Sequence, residues 1–213
     1  MKQYGFGVDV GGTTIKMGFF DGEGNLLDKW EVKTDIQNQG NRILDDIAEE
    51  IQGKLKERDI QKSQVAGISF GGQMHGLVAL DDKDQVIRPA ILWNDGRTTE
   101  ECDYLNNVIG KDKLSEYTAN ISFTGFTAPK ILWVKKNEPE NFARIKKIML
   151  PKDYIAYRLT GVHCTDVSDA SGMLLFDVKN RCWSKEMCEI CGVREEQLAT
   201  CYESYEKVGC VLP

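Results

Sequence analysis

Gly7-Val8-Asp9-Val10-Gly11-Gly12-Thr13-Thr14-Ile15-Lys16 stands between two apolar runs, residues 4–10 and 15–20. Each run has the length and composition of a buried strand, and the paired glycines between them permit a tight reversal with positive φ. The stretch therefore predicts a hairpin with an acid at the end of its first strand. Asp9 there can hold a divalent cation, directly or through water. The backbone amides of Gly11, Gly12, Thr13 and Thr14, the two hydroxyls and Lys16 can face phosphate oxygens. A plain glycine-rich β-turn reads the same residues with no ligand at all. A Walker loop and a dinucleotide-binding fingerprint are both excluded, because each needs a helix after its glycines and here a strand follows.

Working outward, Asp21-Gly-Glu-Gly-Asn25 makes a second turn and Leu26 to Val32 a third strand, so three antiparallel strands open the chain. Ile43, Leu44, Ile47, Ile51 and Leu55 recur at steps of three and four, which predicts an amphipathic helix from about Asn41 to Arg58. A short apolar strand, Val65 to Phe70, follows it. Strand, helix, strand predicts a crossover in a mixed α/β sheet. Leu77–Leu80 and Val86–Trp93 flank a polar turn like the arms of a hairpin. Thr98 and Thr99 read as helix caps for a segment reaching about Val108, with a second helical segment after Lys111. Helices are expected at Ala128–Lys136 and Pro151–Leu159, strands at Ile145–Leu150 and Met173–Phe176, and a polar loop at Asp166–Gly172. Ser184 caps a further helix, and Glu195–Leu198 reads as a helical turn.

The chain has 213 residues and a net charge of -6, a balance that disfavours a nucleic-acid partner. No apolar run approaches the roughly 18 residues of a membrane span, and the first residues lack the apolar core of a signal peptide, so a cytoplasmic location is expected. Seven cysteines, an odd number, are expected as reduced thiols. Cys188 and Cys191 have metal-knuckle spacing, but neither a second such pair nor a nearby histidine completes a ligand set.

Two loops carry the remaining chemistry. Gln73, Met74 and His75 lie just past a strand, where α/β sheets meet ligands. They offer polar contacts to hydroxyls and an apolar wall, although a lone histidine in such a loop can equally be structural. Trp93, Asn94 and Asp95, followed by Gly96 and Arg97, have the composition of a sugar site, and the same residues also read as a helix start. Asp153 and Asp169 are cap-like acids. No Ser-His-Asp order and no HExxH pattern occurs. Together the residues point to a small-molecule kinase with a phosphate hairpin and a polyhydroxyl site.

From about Gly67 onward, the sequence resembles the xylulokinase group of the FGGY carbohydrate kinases, members of the actin-like ATPase superfamily. The resemblance is carried by Gly72-Gln73-Met74-His75-Gly76, by Pro89 through Arg97, by Leu150-Pro151-Lys152-Asp153-Tyr154, by Asp166 to Gly172, and by Gly125 through Asn137, which fits the family's first signature. It implies an α/β, ribonuclease H-like domain and ATP-dependent phosphorylation of D-xylulose at O5 with Mg2+. The sugar would be contacted by Met74 and His75, with Trp93, Asn94 and Asp95 close by. Residues 1–65 instead resemble the ROK glucokinases, which implies a chimera joined near Val65–Ile68 or, as the alternative, a divergent member of the xylulokinase group with a convergent hairpin. On this resemblance the chain is a single N-terminal kinase domain, with a ROK-like hairpin segment over 1–65 and the sugar-binding part over 66–213. The catalytic base and the adenosine-binding second domain belong beyond Pro213, so the chain alone is expected to bind sugar without useful turnover. A bare apolar face where that domain packs would favour self-association. The competing readings are a non-catalytic sugar-binding module and a glucokinase-like enzyme.

Overall fold

In the computed structural model, which describes residues 3–33 and 42–212, the first three strands alternate burial with period two. Phe6, Val8 and Val10 point into a core while Asp9 between them is exposed. Strand β1 (Tyr4–Val10) pairs antiparallel with β2 (Thr14–Asp21), setting Asp9 opposite Lys16, and β2 pairs antiparallel with β3 (Leu26–Lys33). Helix α1 (Arg42–Glu57) then leads to β4 (Val65–Gly72), which lies parallel to β1, so the sheet order is β3-β2-β1-β4. The expected crossover is present. The expected helix start at Asn41 lies outside the described residues.

The chain divides into two compact units, Met1–Gln73 and Met74–Pro213. In the first, Phe6, Phe19 and Leu55 form a core against Tyr4, Trp30, Ile51 and Ile68. Phe19 is fully buried, with its ring centroid 5.0 Å from Phe6 and 5.2 Å from Tyr4. Burying such a side chain contributes about 1.5–3 kcal/mol. Lys54 and Arg58 both donate to the Asp28 carboxylate, at 2.9 and 3.1 Å, and tie the end of the helix to β3.

The second unit is built on one larger core that includes Leu77, Ile91, Leu105, Ile131, Ile148 and Leu174. Strand β5 (Val78–Leu80) pairs antiparallel with β6 (Lys147–Met149). The arm expected over Val86–Trp93 reduces to two isolated bridges, Leu80 with Val86 and Leu77 with Ile91. Helix α2 (Thr99–Asp103) does not run on to Val108 as a regular helix. It widens into a π-helical turn (Tyr104–Gly110) before α3 (Lys111–Thr118). Helix α4 (Thr127–Asn137) is followed by the short α5 (Pro139–Arg144), which the sequence reading missed. Helix α6 (Pro151–Thr160) ends at Gly161, whose φ of 73° is the left-handed stop expected of a glycine.

Two expectations in the last third fail. Residues Asp166–Gly172 are not a polar loop. They hold a short helix α7 (Val167–Ser171), because the Asp166 carboxylate accepts from the amides of Ser168 and Asp169 and caps it. The strand expected over Met173–Phe176 shrinks to β8 (Phe176–Asp177), paired with β9 (Cys182–Trp183), since buried Leu174 takes a left-handed φ of 58° that breaks the extended run. Strand β7 (Cys164–Asp166) pairs in parallel with β10 (Thr200–Tyr202). Helix α8 (Lys185–Cys191) is capped by the Ser184 hydroxyl as expected, and Glu195–Gln197 is a single 3-10 turn. No helix among the described residues is long and apolar enough to cross a membrane.

Candidate functional site

In the first unit the hairpin turn is closed by the Gly11 amide donating to the Thr14 carbonyl at 2.9 Å. Neither Gly11 nor Gly12 takes a positive φ, contrary to the sequence reading. Gly11 is needed for a different reason: a Cβ there would lie 2.8 Å from the Thr14 oxygen, so only a bare backbone allows the chain to fold this tightly. Asp9 and Lys16 face each other across β1 and β2 and line a shallow groove of about 420 Å³ with Gly7, Gly18, Ser69 and Gly71. Glycines on three neighbouring strands keep this face low and leave one carboxylate and one ammonium to define its chemistry.

Gln73, expected among the sugar contacts, is buried, and its side-chain amide sits by the hairpin: a Cβ on Gly12 would lie 3.7 Å from Gln73 Nε2. Thr13 and Thr14 complete the turn. Among the described residues no three His, Cys, Asp or Glu side chains gather as a metal site. Asp9 is thus a single carboxylate. That donor set fits Mg2+ held mainly by substrate phosphates and water, with one protein ligand.

In the second unit His75 occupies a left-handed backbone conformation with a φ of 61°, which is rare and strained for a residue with a Cβ. Three neighbours fix it. The Thr127 hydroxyl donates to its backbone carbonyl at 3.1 Å, and the Phe126 ring lies 4.8 Å from the imidazole, centroid to centroid. On its other side the ring stands so close to Gly172 that a Cβ there would lie 2.2 Å from His75 Cε1. Next in the chain, Gly76 lets Pro151 approach, since a Cβ there would lie 2.6 Å from Pro151 Cγ. His75 Nδ1 is buried without a fully formed hydrogen bond among the described residues. Burial pushes the imidazole below its ordinary pKa, against the opposing pull of the Gly172 backbone and the Asp169 carboxylate. The ring is therefore held neutral. Met74 beside it is 40% exposed.

Trp93 is 53% exposed and Asn94 is exposed, so both are open to a ligand. Asp95 is half-buried and already committed: Arg97 grips it through Nε and Nη2, at 2.9 and 2.7 Å to separate oxygens. That hydrogen-bonded pairing holds the carboxyl below its ordinary range. The guanidinium lies 4.8 Å from the ring centroid of Trp133, not over Trp93. Thr98, expected as a capping side chain, makes no cap bond and donates instead to the Thr124 carbonyl at 3.0 Å. Gly125 closes on Trp93, for a Cβ there would lie 3.1 Å from the Trp93 oxygen. The 124–127 segment thus touches both the His75 and the Trp93 strips.

Two lysines of this unit, Lys130 and Lys152, lie in the family-like segments, and the sequence alone gives neither a role. Lys130 is completely buried in the first turns of α4 and donates to the carbonyls of Thr124, Gly125 and Phe126. Burial pushes its ammonium down to about 8, with Asp95 pulling the other way. A lysine at a helix N-terminus opposes the helix dipole, a signal in the sequence by which it could be found. Lys152 bridges Asp166 at 2.7 Å and Asp169 at 2.8 Å, with Asp153 at 3.4 Å. Burial works against its charge, but the three carboxylates outweigh it and hold the ammonium above the ordinary range. Asp153 itself is pushed up to about 6 by burial, against the pull of Lys152, and its carboxylate accepts from the Leu150 amide as an N-terminal cap.

The cysteines are all free; Cys188 and Cys191 are buried in the core rather than presented to a metal.

The model of the FGGY family of carbohydrate kinases, N-terminal domain, matches residues 4–213. A xylulose kinase of Lactococcus lactis is 39% identical over 98% of this chain and 43% of that protein. A xylulose kinase of Escherichia coli is 44% identical over 70% of this chain and 30% of that protein. Among solved structures, a xyloylose kinase from Brucella ovis superposes with a TM-score of 0.90 at 33% identity, covering 99% of this chain and 45% of that one. The chain spans less than half the length of each of these three relatives. With an α/β fold on a mixed sheet and a family match along nearly its whole length, the chain belongs to the FGGY carbohydrate kinases and carries their N-terminal domain.

Proposed function

We propose that this chain is the sugar-binding half of an ATP-dependent kinase that phosphorylates D-xylulose, built on an actin-like core. The observation that carries the reading is the second unit's exposed strip: Met74, Trp93 and Asn94 lie open beside a neutral, strained His75 and an Asp95 carboxylate already oriented by Arg97. An apolar wall, an aromatic face and oriented donors and acceptors are what a polyhydroxyl ligand requires. In this reading His75 and Asn94 donate to sugar hydroxyls, Asp95 accepts from one, and Gln73 braces the hairpin. Gly12, Thr13 and Thr14 present amides and hydroxyls to the phosphates of ATP while Gly11 closes the turn that aims them, Lys16 offsets the phosphate charge, and Asp9 holds Mg2+. When bound, the cation neutralises phosphate charge during transfer.

None of these 213 residues is assigned the catalytic base. Binding without turnover is expected of the chain tested by itself, and an apolar surface left bare in that state would favour self-association. A cytoplasmic location belongs to the same reading. For residues 1–65 we favour a continuous FGGY domain whose hairpin has a ROK-like sequence over a chimera. The family match beginning at residue 4 and the 98% coverage by the Lactococcus relative support this.

Calorimetric titration with D-xylulose and D-glucose tests the assignment: heat is expected with the ketose, and a preference for glucose would overturn it. Adding the C-terminal half of a xylulose kinase as a separate chain distinguishes a kinase half from a regulatory module. Restored, ATP-dependent phosphorylation supports the former, and sugar binding without it the latter.

A further inference from the structure

Lys130 makes three hydrogen bonds with the three donors an ammonium has. Nothing remains for a ligand, so its role is not contact with substrate. Its acceptors are consecutive carbonyls, those of Thr124, Gly125 and Phe126, gathered around one buried cation at the entry to α4. Side chains on a helix lean toward its N-terminus, which is why this one reaches back over the segment before the helix.

That segment is otherwise a loop without regular pairing, and it is pinned from two more sides. Asn106, in the π-helical turn, donates to the Ser122 carbonyl at 2.9 Å and accepts from the Ser122 amide at 3.0 Å, while Thr98 holds the Thr124 carbonyl. From the pinned segment Phe126 packs on the His75 ring, Thr127 holds the His75 carbonyl, and Gly125 abuts Trp93. We propose that Lys130 is a positioning residue for the sugar site, its ammonium fixing the 124–126 carbonyls so that Phe126 and Thr127 keep His75 in its strained conformation and Gly125 sets Trp93. The proposal rests on the reading of His75 and Trp93 as sugar contacts given above.

The test compares wild type with Lys130→Met, a side chain of similar length without donors, by calorimetric D-xylulose binding and by the ring C–H resonances of the histidines. The chain has only two histidines. His163, whose Nε2 lies 3.0 Å from the Ile148 carbonyl, reports folding independently of the site. Lys130→Met is expected to weaken ketose binding by about ten-fold or more and to move the His75 resonance while that of His163 stays. Equal binding by the two proteins overturns the proposal whatever the ring does. If wild type itself does not bind the ketose, the sugar reading fails, and the lysine is judged by the ring alone: an unmoved His75 resonance overturns its positioning role and a moved one supports it. Should Lys130→Met lose the native His163 signal, Thr127→Val decides. It keeps the lysine and removes the hydroxyl that holds His75, and unchanged binding with an unmoved His75 resonance again overturns the proposal.

Discussion

Gly172→Ala isolates a single steric contact. Gly172 has a φ of -90° and a ψ of 2°, which alanine adopts without strain, so the backbone does not oppose the change. The unfolded chain favours it, since alanine has less conformational entropy to lose, by about 0.4–1 kcal/mol. Against this stands the new methyl, placed 2.2 Å from His75 Cε1 and 2.5 Å from Nδ1. The ring cannot simply swing aside, because Phe126 packs on it and Thr127 holds its carbonyl. Overpacking of this kind costs about 1–3 kcal/mol, so a net loss of about 1–2 kcal/mol is expected. For a chain of this size that lowers the melting temperature by about 2–8 °C. In a His75→Ala background the clashing atoms are gone, and the same glycine substitution should become neutral or mildly stabilising. The four proteins form a double-mutant cycle with a coupling of about 1–3 kcal/mol, read by urea or thermal unfolding followed by tryptophan fluorescence. If Gly172→Ala costs the same in both backgrounds, to within about 0.5 kcal/mol, the close packing of His75 on Gly172 is refuted.

Asp153 gives a pH signature. Its folded-state pKa, about 6, lies above the ordinary carboxyl value of 3.8, so the folded chain binds the extra proton and stability falls as pH rises through that window. Asp153→Asn removes the titration but not the shape. Its stability relative to wild type should therefore rise between about pH 4 and pH 7, by up to about 3 kcal/mol, and a difference independent of pH would contradict the burial argument. The thiols give a third test. Cys182 and Cys210 are exposed, whereas burial pushes Cys164 and Cys188 up to about 11 and Cys191 up to about 12. Mass mapping after brief alkylation of the native protein at pH 8 should find the label at Cys182 and Cys210, with the buried thiols modified only in denaturant; rapid labelling of Cys191 would refute its place in the core.

The elements legible in the sequence were those whose periodicity outlasts a few residues. Phe6, Val8 and Val10 alternate over a whole strand, and Ile43, Ile47 and Leu55 mark one face over a 16-residue helix, so both patterns exceed chance. Strands β7 and β10 have three residues each and are held by each other across the sequence from Cys164 to Tyr202, a pairing that no local window contains. Asp166 was misread for a related reason. Its capping role depends on the two amides that follow it, and the same run of polar residues describes a loop equally well.

At the candidate site the sequence marks side chains but leaves their use open: Met74, Trp93 and Asn94 are exposed and His75 is half-buried, and the same residues read equally as a helix start and a structural loop. What stayed hidden was the layer that holds them. Gly11, Gly76 and Gly172 have no side chain and no unusual φ, and their requirement exists only as the close approach of Thr14, Pro151 and His75. Lys130 and Lys152 look on paper like two more surface cations, since a sequence does not display the carbonyls and carboxylates that neutralise them. One placement does leave a trace. Desolvating a cation in the first turns of a helix is doubly unfavourable, from burial and from the helix dipole. A lysine set there among Ala128, Ile131 and Val134, all fully buried, can persist only where a dedicated set of acceptors faces it, and so it points to the segment it holds.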